Sequence, residues 1–75
     1  SSYFFDDFLK KYKLTRREVH IIRLVCKEFS SKQIAAELHL SEFTVNTHRK
    51  NIQRKLNVKN VAGLVSFARE HQLVN

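Results

Sequence analysis

The sequence predicts an all-α fold, a four-helix bundle with a further helix at its N-terminus. Three observations lead there. Proline is absent and glycine occurs once in 75 residues, so the residues that break helices are nearly missing. Signals for a helix start recur at short intervals. The brief apolar runs all fit a helical period, and none demands a strand.

A chain of 75 residues holds one compact unit and no second domain. A unit this small buries only about 60% of the surface its unfolded chain exposes, too little for a closed catalytic cleft, so an enzyme is not expected. Fourteen Lys and Arg against seven Asp and Glu leave a net charge of +7, which favours a polyanionic partner, nucleic acid before anionic membrane. No apolar run approaches the ~20 residues that span a bilayer. A membrane-surface helix would need a continuous exposed apolar face, which the core requires here. Cys26 is the only cysteine, so one copy makes neither an internal disulfide nor a cysteine-based zinc site. With no secretory signal, the expectation is a cytoplasmic protein without cofactor or metal. The chain opens with Ser1 and Ser2 and lacks Met, which reads as a fragment whose upstream sensory domain is missing.

Residues 1–13 form a linker or an amphipathic helix, and residues 14–75 the domain proper. Phe5, Phe8, Leu9 and Tyr12 recur at i, i+3, i+4 and i+7. The first segment holds Tyr3, Phe4, Phe5, Phe8 and Tyr12 of the eight aromatics. That face either packs back on the bundle or docks an upstream domain or partner. Thr15 and Glu18 are spaced as a capping box that opens a helix over 16–27. Its Val19, Ile21, Ile22, Leu24, Val25 and Cys26 make a wide buried arc, and Arg16, His20, Arg23 and Lys27 share the exposed strip. Ser30 and Gln33 repeat the box for a short helix with Ile34, Ala35 and Leu38 inward. After a turn at His39, Leu40 and Ser41, Ser41 caps a third helix to residue 56. Asn60 then caps a fourth, over about 61–72, carrying Leu64, Val65, Phe67 and Ala68.

The 41–56 helix carries the chemistry. With Val45 set at zero and about 100° per residue, Ile52 and Leu56 fall within about 20° of it and form a narrow buried stripe. The other side collects Phe43, Asn46, Thr47, Lys50, Asn51 and Arg54, with Lys55 and Lys59 towards the C-terminal end and no acidic residue from Thr44 to Lys59. Asparagine pairs with adenine, lysine reaches guanine acceptors, and arginine or lysine neutralises phosphate. Charge alone would equally describe a solvated face. The preceding short helix and tight turn add a helix-turn-helix, which presents its second helix to the major groove of double-stranded DNA.

Leu14-Thr15-Arg16-Arg17-Glu18, Ser31-Lys32-Gln33-Ile34-Ala35, Leu40-Ser41, Thr44-Val45, His48, Asn51-Ile52 and Lys55-Leu56 occur in order and without gaps. The chain over residues 14 to 72 thereby resembles the LuxR-type (GerE, NarL/FixJ) DNA-binding domain of bacterial transcription regulators. The resemblance implies a response-regulator output domain. Its third helix reads DNA, its fourth supports a homodimer, and a receiver or sensory domain precedes it. Carried over by position, Asn46, Thr47 and Lys50 match the base-reading face, and Thr44, Arg54 and Lys55 match backbone contacts. The outward set adds Phe43 to the base readers and Asn51 and Lys59 to the phosphate contacts.

The sequence departs from that pattern at four positions. Glu28 stands where glycine is common, so the chain turns without an easy positive-φ residue. Asn46 replaces a common Lys or Arg, Val61 a common Arg, and Gly63 a frequent Glu. Phe43 either contacts a thymine methyl or folds onto the adjacent helix or a sugar. His20, His39, His48 and His71 lack i, i+4 spacing and fit no metal or catalytic pattern. His48 reads as a packed, hydrogen-bonded boundary residue and Cys26 as a small core residue. Lys10, Lys11, Lys13, Arg16 and Arg17 read as a solvated flank. The rival to DNA binding is a helix-turn-helix-shaped protein-interaction module, which has no reason to keep an acid-free face.

Overall fold

The computed structural model describes residues 2–75, with side chains from Phe4 onward; Ser1 and the Tyr3 side chain lie outside the described part. Five helices follow one another and no strand occurs among the described residues: α1 (Ser2–Tyr12), α2 (Arg16–Cys26), α3 (Ser31–Leu38), α4 (Glu42–Leu56) and α5 (Val61–Glu70). The expected all-α architecture, a four-helix bundle plus an N-terminal helix, is what the chain adopts.

Each of α2 to α5 starts where a short polar side chain satisfies a backbone N–H that the helix leaves unpaired. Both capping boxes form. The Glu18 N–H donates to Thr15 Oγ1 at 3.0 Å and the Thr15 N–H to Glu18 Oε1 at 2.8 Å. Gln33 and Ser30 exchange the same pair of bonds at 3.1 and 2.8 Å. Ser41 Oγ accepts from the Thr44 N–H at 3.0 Å, and Asn60 Oδ1 from the Gly63 N–H at 2.9 Å.

The helix ends share a second device. Lys13, Glu28, His39, Asn57 and Gln72, one after each helix, take positive φ between 55° and 69°. The next residue in every case, Leu14, Phe29, Leu40, Val58 or Leu73, donates its N–H to a carbonyl five positions back, at 2.8 to 3.1 Å. This six-to-one bond with an apolar follower is the Schellman stop. All five apolar followers belong to or pack against the core. Glu28 thus adopts the left-handed turn itself, without glycine, against a steric cost of about 1–2 kcal/mol. Two helix limits shift: α2 gives way at Lys27, and α5 ends at Glu70 because Gln72 turns and sends Leu73 inward.

Ile21, Ile22, Ile34 and Ile52 with Val19 and Val45 make the fully buried centre, and Leu14, Leu24, Val25, Leu56, Leu64, Ala68 and Leu73 surround it. Helix α3 packs on α4, and α4 and α5 each pack on α2. Helix α1 folds back on the bundle, which settles the two readings of its aromatic face. Phe8 and Tyr12 meet Phe67 of α5 at ring separations of 6.2 and 5.2 Å, and Phe67 stacks on His71 at 4.1 Å. The Tyr12 hydroxyl pairs with His71 Nε2 at 3.1 Å. His71 Nδ1 lies 3.2 Å from the Phe67 carbonyl, which only accepts, so Nδ1 donates there.

Candidate nucleic-acid interface

Helix α4 is fixed from behind by Val45, Ile52 and Leu56, all buried. That stripe leaves the opposite side in solvent. Phe43, Asn46, Thr47, Lys50 and Arg54 are exposed on it, Asn51 and Thr44 are half-buried beside it, and Lys59 is exposed in the turn that follows. The sequence-derived face is therefore brought together on α4 and the turn after it, with Lys55 set apart. Glu42, in the first turn, is the acidic residue of α4, and there it faces the positive end of the helix dipole.

Several of these side chains are pre-positioned. Thr47 Oγ1 donates to the Phe43 carbonyl at 3.1 Å, which leaves its lone pairs pointing outward as acceptors. Arg54 Nη2 donates to Asn51 Oδ1 across one turn at 3.4 Å, so both groups stand near the flank. Ser41 Oγ donates to Thr44 Oγ1 at 2.9 Å. Phe43 is 80% exposed, so it does not fold onto the adjacent helix. His48 sits at the boundary as expected, half-buried, but without the expected hydrogen bond among the described residues.

Lys55, expected to contact phosphate, is engaged within the domain. Its Nζ donates to both Glu18 carboxylate oxygens, at 2.8 and 2.9 Å, and Glu18 is only 3% exposed. A buried carboxylate requires such partners. One side chain therefore caps α2 through the Thr15 N–H and ties the C-terminal end of α4 to it. Sequence reasoning found the cap but missed the tie, which spans 37 residues. One signal was present: Lys55 lies about 80° from Val45, on the border of the buried stripe rather than on the outer face. Arg49, unassigned from sequence, is a similar case. It lies about 40° from Val45, and its Nη1 donates to Ser31 Oγ at 3.1 Å, holding α4 against α3.

The remaining candidates separate from this face. Lys10, Lys11, Lys13, Arg16 and Arg17 are exposed, and Arg16 pairs with Asp6 at 2.8 Å. Cys26, expected in the core, is only half-buried. Burial pushes its thiol up, with Arg69 acting in the opposite direction. No cluster of His, Cys, Asp and Glu that could hold a metal occurs among the described residues. No described helix is long and apolar enough to cross a membrane.

A short α3, a tight turn and an exposed basic α4 held from behind define a helix-turn-helix domain. The family described as bacterial regulatory proteins, luxR family, matches residues 12–68, and the chain belongs to it. Among relatives, the chain is 40% identical over 62 residues to the transcriptional regulatory protein MctR of Rhizobium johnstonii, covering 83% of this chain and 29% of that protein. It is 45% identical over 60 residues to a nitrate/nitrite response regulator protein homolog of Haemophilus influenzae, covering 79% and 29%. The response regulator ChrA of a haem-sensing two-component system has the same fold. Its TM-score is 0.75 at 37% identity, over 80% of this chain and 30% of that one. The chain thus spans about 30% of the length of such relatives.

Proposed function

We propose that the domain binds double-stranded DNA sequence-specifically, with α4 in the major groove, as the output module of a transcription regulator. The observation that carries this reading is the outer face of α4, where Asn46, Thr47, Lys50 and Arg54 are exposed and no carboxylate interrupts the run from Thr44 to Lys59. Lys50 and Asn46 offer donors to guanine and adenine edges, and Thr47 offers acceptors. Phe43 supplies an apolar contact for a thymine methyl. Arg54, Lys59, Asn51 and Thr44 hold the phosphates on either side and fix the register. Lys55 serves this arrangement through Glu18, by holding the helix that the others project from.

The same reading includes a homodimer through the C-terminal helix, residues about 61–72, where Val61 is 44% exposed. It also includes a cytoplasmic regulator with a receiver or sensory domain ahead of this module, in keeping with the length of the relatives. The test is enrichment of the purified chain on a random duplex pool at low and near-physiological salt. The expected result is a recovered motif, arranged as an inverted repeat with half-sites about one helical turn apart if the dimer forms on DNA. Binding without a shared motif would reject base readout. No binding at either salt would leave a protein-interaction module as the better reading.

A further inference from the structure

A groove of about 520 Å³ runs between α2 and α5, and none of its lining residues comes from α3 or α4. Its floor is apolar, built from Leu24, Val65 and Leu73, and Arg23, Lys27 and Arg69 stand around it. No Asp or Glu lines it, and the three cations make no ion pair among the described residues. Arg23 is already oriented: its Nε donates to the Leu73 carbonyl at 3.0 Å, and its guanidinium lies 5.9 Å from the Phe5 ring centre. A partner would find it in place, with little rotamer freedom left to lose.

We propose that this groove is a docking site for an acidic amphipathic segment of a protein partner, with apolar side chains on the floor and carboxylates on Lys27 and Arg69. Charge complementarity selects that occupant. A second copy docked groove to groove by a twofold axis would set the same cations face to face, a like-charge arrangement that costs affinity, so the homodimer proposed through α5 does not fill this groove. Duplex DNA would satisfy the cations but gains nothing from Leu24, Val65 and Leu73. The α4 face that fits DNA also lies on other elements. Cationic rim and apolar floor together match a helix with carboxylates on one side and leucines on the other. Such a site would let the domain hold DNA and a second protein at once.

The probe is a synthetic helical peptide with Leu on one face and Glu on the other, titrated into the isotope-labelled chain without DNA and followed by amide chemical shifts. The expected shifts concentrate at Leu24, Lys27, Val65, Arg69 and Leu73. The double variant Lys27→Gln, Arg69→Gln should weaken the peptide about tenfold, with its unbound spectrum unchanged because both side chains are exposed. A peptide of the same apolar pattern with Lys for Glu should not bind. Three results would each overturn the proposal: shifts centred on the outer face of α4, equal binding by polyglutamate without leucines, or no shifts at about 1 mM peptide, a concentration that detects even weak association. The readout involves no DNA, so it stands or falls separately from DNA recognition.

Discussion

Glu18 makes three hydrogen bonds through two oxygens, one to the cap of α2 and two to the Lys55 ammonium. Glu18→Gln keeps the cap but leaves the ammonium against a neutral amide. Lys55 is 21% exposed at its side chain and can swing towards water, so the loss should be about 1–3 kcal/mol rather than that of a fully stranded charge. Thermal unfolding of the variant should fall by several degrees; an unchanged midpoint would show that the tie carries no stability. On the outer face, Lys50 and Arg54 should separate by role. Lys50→Ala should reduce discrimination between a matched and a scrambled duplex, while Arg54→Ala weakens both and lowers the salt slope by about 1. Equal losses on both duplexes for both variants would refute the division. The placement of these side chains was legible because α4 has one narrow buried stripe, which fixes every other direction on the helix. The Glu18–Lys55 tie was not legible, because a capping box explains Glu18 without reference to anything 37 residues away.

At the scale of elements, the starts of α2 to α5 were readable and their ends were less so. A cap or capping box is complete within four residues and uses distinctive side chains. The stops here use Lys, Glu, His, Asn and Gln at positive φ, and of these only Asn57 and His39 are types that favour it. What fixes them is the apolar residue that follows, drawn inward by the core. Glu28→Gly should therefore remove steric strain at one of these stops and raise stability by about 1 kcal/mol, a midpoint increase of about 4–8 °C for a domain of this size. A lower midpoint would mean that the flexibility gained by the unfolded chain outweighs the strain removed. Gly63 offers the reverse exchange. A Cβ there would meet Val58 Cβ at 3.4 Å and Asn60 Oδ1 at 3.5 Å, ordinary contacts, so Gly63→Ala should stabilise α5 by about 0.5–1 kcal/mol. The aromatic face of α1 had two readings from sequence, and only the position of Phe67 on α5 and His71 at its C-cap decided between them.

Over the whole molecule, the charge of +7 is spread on more than one side. Arg23, Lys27 and Arg69 stand around the α2–α5 groove, and Lys55 is neutralised by Glu18. The slope of log affinity against log salt for DNA should then be shallow, about −2 to −4 per chain at about −0.9 for each phosphate neutralised. A slope near −6 would mean that the total charge, not the α4 face, governs binding. The five stops carry one more consequence. Each turn ends a helix and at the same time anchors an apolar side chain one residue later, so an added or deleted residue would pull that anchor off its seat. Turns of this kind leave no slack for insertions. A domain so constrained would acquire new targets by exchanging side chains on a helix of constant length, and its relatives should differ more in what α4 displays than in how long their loops are.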